Sequence, residues 1–236
     1  MDTTLDDRPE RPEDAEPRGL AELIPGPFWE ELSSRGQRLT YPTGALLWEP
    51  GHARIYTMYM VAEGLVRLYQ PNYKGRAITI LAVGPGGVLG FHPQLLGCPY
   101  AAGAEVIAPS TLLAFSEPQV RGWFAAQPSF RTWMVHDLDL HLMNTYTRLE
   151  LEHTPAKERV ARALLALDAQ ELLVGVSRGQ LADLTNLSTE TVVRVLSSFL
   201  REGVLRRTRF TSLSEGERRG LSSLLTVFEP LSAPYL

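Results

Sequence analysis

The sequence predicts an α+β protein with an N-terminal antiparallel β-roll (jelly roll), one long helix, and a small helical domain at the C-terminal end. Three observations carry this prediction. Between Gln37 and Phe115, short alternating apolar runs end in Gly or Pro at the roughly eight- to twelve-residue spacing of an antiparallel roll or barrel. After Pro128 an apolar pattern of helical period continues to about His153. From Val176 to Val204 two short amphipathic stretches flank a tight turn.

Residues 1–18 are rich in Asp, Glu, Pro and Arg and have too few apolar groups to repay the entropy of ordering, so a disordered acidic segment is expected. Residues 19–127 are expected to form the roll with flanking helices. Leu20, Leu23, Ile24, Phe28, Trp29 and Leu32 give short helical pieces, interrupted by Pro25 and Pro27. The runs 38–51, 57–70, 75–90 and 110–115 each read as a strand or strand pair, and residues 117–126 as a short helix.

Residues 128–154 read as the long helix, with Pro128 in its first turn. Met134, Val135, Leu138, Leu142, Tyr146 and Leu149 make one apolar row, and Trp133, Leu140 and Met143 make another. Two rows need two partners. One faces the roll, and Val135, Leu138, Leu142, Tyr146 and Leu149 are expected to pack on the same helix of a second subunit as a coiled coil.

Residues 155–236 read as a winged helix-turn-helix domain, hinged at Pro155, with Val160, Leu164, Leu165 and Leu167 in its core. Ser177 to Leu184 is the first helix of the motif, Thr185, Asn186 and Leu187 the turn, and Ser188 the cap of the second helix. In that helix Val192, Val195, Leu196 and Phe199 fall on one buried stripe, which leaves Thr189, Glu190, Thr191, Val193 and Arg194 on the other side. Glu190 and Arg194, four apart, have the spacing of an exposed ion pair. At the start of a helix after such a turn, they also occupy positions that enter a major groove. There an Arg fork grips guanine O6 and N7, a Glu accepts from cytosine N4, and Thr or Val methyls touch thymine. After Val204, two strand-like runs joined by a long charged loop read as a wing, which offers Arg206, Arg207, Arg209, Arg218 and Arg219 to phosphates.

The run Ser188, Thr189, Glu190, Thr191, Val192, Val193, Arg194 resembles the opening of the recognition helix in the Crp/Fnr transcription regulators. The glycines from Gly44 to Gly90 resemble the corners of that family's cyclic-nucleotide-binding-like roll. The resemblance implies that Glu190 and Arg194 read bases, that Arg178, Ser188 and Thr191 hold phosphates, and that the protein acts as a homodimer on a palindromic operator in double-stranded DNA. An activator of this kind also contacts RNA polymerase. One base contact departs from the pattern, since Thr189 stands where cyclic-AMP-responsive members often have Arg.

The same resemblance locates the effector pocket, and this chain departs from it there. Nucleotide-binding members carry a Glu for the ribose and an Arg for the cyclic phosphate. The matching positions here are Val88 and Leu89, then Ala102 and Gly103, while Asn144 and Thr145 fall where adenine would be contacted. Val88 cannot accept a ribose hydroxyl, and a phosphate buried without a cation is unfavourable. Two modes of control therefore stay open: a scaffold already competent for DNA without cyclic AMP, or an allosteric sensor whose roll takes another small effector. His92 and Cys98 read as a loop histidine and a small buried thiol rather than haem ligands.

Composition agrees with this assignment. The net charge of −4 divides into −4 over residues 1–18 (7 acidic, 3 basic), −2 over 19–154 (11 and 9) and +2 over 155–236 (9 and 11), so phosphate attraction is local to the last domain. A single Cys excludes an internal disulfide and any multi-thiolate metal site, so no cofactor and no metal are expected. With no apolar run near 18 residues and no signal-like segment, a cytoplasmic protein with no membrane partner is expected. No nucleophile–base pair or paired carboxylates suggest an enzyme.

Overall fold

The structure is a computed structural model of the 236-residue chain, and it describes residues 26–51, 58–91, 98–207 and 211–225, with side chains from position 31 onward. Helix α1 (Gly26–Arg35) leads into a six-stranded antiparallel sheet. Its strands are β1 (Gln37–Tyr41), β2 (Leu46–Trp48), β3 (Met58–Pro71), β4 (Ala77–Val83), β5 (Val88–Leu89) and β6 (Gly103–Phe115). They pair in the order β1-β6-β3-β4, with β2 on β6 and β5 on β3.

The two long strands β3 and β6 form the spine, in register from Met58 opposite Phe115 to Tyr69 opposite Gly103, with shifts between Val61 and Val66. The glycines there are sterically required. At Gly64 the backbone takes φ +92°, and a β-carbon would collide with Ser110 Oγ and the Pro109 carbonyl. At Gly103 it would run into the Tyr69 ring.

The helices that follow keep the expected order: α2 (Glu117–Ala126), α3 (Pro128–Leu151), α4 (Ala156–Ala169) and α5 (Arg178–Thr185), then α6 (Thr189–Arg201) and α7 (Glu215–Ser222). The apolar rows of α3 divide differently from the expected pattern. Trp133 and Met134 are both buried against the roll, beside Phe130. Met143 joins Val135, Leu138, Leu142, Tyr146 and Leu149 on the exposed face, where each of the six is 46–67% accessible. Helical geometry explains the exchange, because Met134 lies next to Trp133 on the arc that meets the sheet.

Two apolar cores result. One fills the roll and includes Trp48, Met58, Met60, Phe115, Trp123 and Trp133. The second, built on Val160, Leu164, Leu181, Val192, Leu196 and Phe199, is completed by Leu65, Ala82, Ile107 and Ala108 from the outer face of the sheet. The C-terminal region therefore shares its core with the roll rather than enclosing a separate one.

The charged stretch expected as a wing loop is instead helix α7, and among the described residues no strand follows β6. The Ser214 hydroxyl caps the first turn at Glu217 N, and Glu217 answers by accepting from Ser214 N at 2.9 Å. Leu213 and Leu221 are buried on either side. Arg218 Nε bonds Asp168 at 2.6 Å and Arg219 Nε bonds the exposed Glu215 at 3.0 Å, so both of these expected phosphate contacts sit on a helix instead of a loop. Arg209, the second strand-like run from Thr226 and the 1–18 segment lie outside the described residues, as does His92. Cys98 is exposed, not the small buried thiol expected. No helix among the described residues is long and apolar enough to cross a membrane.

Candidate nucleic-acid interface

The helix-turn-helix is built by local hydrogen bonds that its sequence dictates. Ser177 accepts from Gln180 N and Gln180 Oε1 accepts from Ser177 N, which closes a capping box at the start of α5. Asn186 ends that helix in the left-handed region at φ 55°, ψ 29°, a conformation that Asn tolerates and β-branched residues do not. Two residues later Ser188 Oγ accepts from Thr191 N at 3.1 Å and starts α6. Val192, Val195, Leu196 and Phe199 are buried, as the stripe requires.

The opposite face of α6 is open. Thr189, Glu190 and Arg194 are exposed or nearly so, and Thr191 and Val193 are half-buried. Arg194 Nη2 turns to Thr191 Oγ1 at 3.4 Å, and Thr191 Oγ1 lies 2.8 Å from Ser188 Oγ. The three form one polar chain along the helix. Among the described residues Glu190 and Arg194 make no ion pair, so both head groups stay available to a ligand. Arg178, at the first position of α5, and Arg206 and Arg207 beyond α6 are also exposed.

Contacts that sequence reasoning missed hold the turn of this motif against the roll. Asn186 brackets Thr79 of β4, accepting from its N–H at 2.8 Å and donating to its carbonyl at 2.9 Å. Thr79 Oγ1 donates to the Asp183 carbonyl at 2.8 Å. The buried Arg67 of β3 bridges Glu105 at 2.7 Å and Asp183 at 3.1 Å. Gln180 donates to the Ile107 carbonyl. From the other side Arg148 of α3 donates to the Leu184 carbonyl at 2.6 Å and Arg159 of α4 to the Thr185 carbonyl at 3.4 Å, so two cations face the carbonyl end of α5. Desolvation pulls the Arg148 pKa down to about 10, partly offset by Glu152 and deepened by Arg159. The only local signal of this docking was Asn186 as a helix-ending residue, since its partners on the roll lie more than a hundred positions away.

Inside the roll, the positions compared with the nucleotide pocket are filled by apolar packing. Val88 and Leu89 are each 1% exposed and belong to the central core with Trp48, Tyr59 and Tyr100. Trp48 stacks on Tyr100 with ring centres 4.4 Å apart, and its indole donates to the Ala102 carbonyl at 2.9 Å. Gly103 is buried beneath Tyr69. The Asn144 amide donates to the Leu140 carbonyl at 2.7 Å and the Thr145 hydroxyl to the His141 carbonyl at 2.8 Å, so each side chain is engaged by its own helix.

Comparisons with known proteins agree with this arrangement. A family model described as a Crp-like helix-turn-helix domain matches residues 158–216, and one described as a cyclic nucleotide-binding domain matches residues 38–127. The chain is 32% identical over 177 residues to the cyclic AMP receptor protein of Thermus thermophilus, covering 72% of this chain and 80% of that protein. It is 30% identical over 185 residues to the transcriptional regulator LdrP of the same organism, covering 71% and 89%. Among solved structures, TTHA1359, a CRP/FNR-family transcriptional regulator of Thermus thermophilus, superposes with a TM-score of 0.62 at 26% identity, covering 80% and 97%. FixK2 from Bradyrhizobium japonicum shares the fold, with a TM-score of 0.71 at 22% identity and coverage of 82% and 99%. With a nucleotide-binding-like roll and a helix-turn-helix both matched and both built, the chain belongs to the Crp/Fnr family of transcription regulators.

Proposed function

We propose that this protein is a homodimeric, sequence-specific regulator, an activator that binds a palindromic operator without needing cyclic AMP. The observation that carries the reading is the open polar face of α6, which presents Thr189, Glu190, Val193 and Arg194 at the start of a helix whose other face is buried. Glu190 and Arg194 read base edges, with Thr189 and Val193 at their sides. Arg178, Ser188, Thr191, Arg206, Arg207 and Arg209 fix the register on phosphates.

Dimerisation rests on α3. Val135, Leu138, Leu142, Tyr146 and Leu149 form an apolar row that water would otherwise cover, and a second copy of the helix buries it. The domains then divide as roll to residue 127, dimer helix 128–154 and DNA-binding domain from 155. Two recognition helices about 34 Å apart match half-sites one helical turn apart. RNA polymerase is the partner through which bound dimer activates. Independence from cyclic AMP rests on Val88, Leu89 and Ala102, whose surroundings are occupied by core side chains and by the Trp48 indole. The relative named a cyclic AMP receptor makes that nucleotide the effector to test.

Selection of binding sites from random duplex DNA with full-length, ligand-stripped protein tests the reading. The expected winner is a palindrome with a G·C pair in each half-site, spaced by about ten base pairs. Enrichment of no sequence, or of an asymmetric site bound by a monomer, would refute it.

A further inference from the structure

The hairpin between β3 and β4 is bound to the helix-turn-helix, and its tip has no role in the reading above. Residues 71–77, Pro-Asn-Tyr-Lys-Gly-Arg-Ala, hold two basic side chains and no acidic one. Asn72 shapes the tip, accepting from Lys74 N at 2.9 Å and Arg76 N at 3.0 Å while its own N–H donates to the Arg76 carbonyl at 2.8 Å. Arg76 Nη2 then donates to the Leu187 carbonyl at 2.7 Å. Leu187 is the residue before Ser188, the cap of the recognition helix. Further along the same strand, Thr79 is bracketed by Asn186. The hairpin is therefore fixed at two points to the turn that delivers α6 to DNA.

Beyond these anchors the tip is bare. Tyr73 is 90% exposed, and the Lys74 ammonium lies 5.3 Å from its ring centre. Lys74 lies two residues from Arg76, so the two Cα atoms are at most about 7 Å apart, and each side chain extends from there.

We infer that the β3–β4 hairpin is a second DNA-contacting element, in which Lys74 and the Tyr73 hydroxyl hold the phosphate backbone beside the recognition helix. The inference rests on the DNA-binding reading of α6 and extends its footprint. Charge decides the kind of partner: a tip with an ammonium, a phenol and no carboxylate, joined through Arg76 and Leu187 to the helix N-terminus capped by Ser188, complements phosphate. Such contacts carry no sequence information and add affinity that falls with salt.

The test is the salt dependence of operator binding by the full-length protein, compared with its Lys74→Ala and Tyr73→Ala variants, with a hydroxyl-radical footprint of each complex. Both positions are exposed, so the variants fold as the parent does. Each phosphate contact contributes about 0.9 to the slope of log K against log salt, so Lys74→Ala is expected to lower it by about 1.8 per dimer and to shorten the footprint at each outer edge. Tyr73→Ala weakens binding with little change in slope. Unchanged slope, affinity and footprint in both variants would overturn the inference while leaving the recognition helix intact. So would unchanged DNA binding with lost polymerase-dependent transcription, which would assign the tip to an acidic protein surface. A parent protein that binds no DNA would overturn both readings.

Discussion

The recognition face of α6 and the interior of the roll have gone opposite ways. On α6 the polar positions are open to solvent, with Arg194 aligned by Thr191 and Ser188. In the roll, of the two positions that the family resemblance assigns to ribose and phosphate, Val88 is buried in the core and the carbonyl of Ala102 already accepts from Trp48. One surface is open to solvent, while Val88 on the other lies under core side chains. The contrast teaches that the two faces of one sheet do separate work: the inner face packs on the apolar core of the roll, while the outer face holds the helix-turn-helix. Arg67, Thr79 and Ile107 serve that outer face here.

The contrast can be broken most forcefully from inside. Val88→Glu restores the acidic residue of the relatives but buries a carboxylate among Met60, Leu89 and their neighbours, at a cost of about 3 kcal/mol or more. The expected result is a lower melting temperature and no cyclic AMP binding by calorimetry. A stable variant that binds the nucleotide would show that the pocket was one substitution from working. On the exposed face, Arg194→Ala is expected to cost about 1–3 kcal/mol on the selected site, or roughly 5- to 150-fold in Kd, and to flatten preference at one G·C pair. Equal loss on every sequence would reassign Arg194 to phosphate.

Smaller changes sharpen the link between the two regions. Asn186→Gly keeps the left-handed backbone and removes the bracket on Thr79, for an expected loss of about 1–2 kcal/mol in urea unfolding and weaker operator binding. Unchanged binding would mean that the roll does not help to place α6. Glu217 has the smallest effect. Burial alone would raise its pKa, but the N–H groups of Arg206 and Ser214, the Ser214 hydroxyl and the charge of Arg207 outweigh burial and hold the carboxyl below the usual range. A depressed carboxylate stabilises the fold above its unfolded pKa, about 4.3, and that contribution disappears as pH falls through the folded value. Glu217→Gln should therefore narrow the stability difference between pH 6 and pH 3, measured by thermal melts.

What was legible in the sequence follows from the range of the interactions. The helix-turn-helix could be read almost residue by residue, because Ser177, Asn186 and Ser188 act over a few positions and the apolar stripe of α6 has a strict period. The roll was readable through Gly64 and its fellow corner glycines, where a β-carbon or a positive φ leaves little choice of residue. Helix α7 was missed because its charged residues mimic a loop, and only the Ser214–Glu217 box with Leu213 and Leu221 makes it a helix. Met134 and Met143 exchange apolar rows on α3 because periodicity alone does not say where the sheet begins to cover a helix. The docking of Asn186 on Thr79 was invisible, since the partners are 107 positions apart and nothing local marks Thr79.

The most direct test of the account is a binding titration of nucleotide-stripped, full-length protein on its selected operator, with and without saturating cyclic AMP. The account predicts tight binding with the same Kd in both. Weak binding that cyclic AMP tightens tenfold or more would contradict it, because the roll would then hold a working nucleotide site despite Val88 and Ala102.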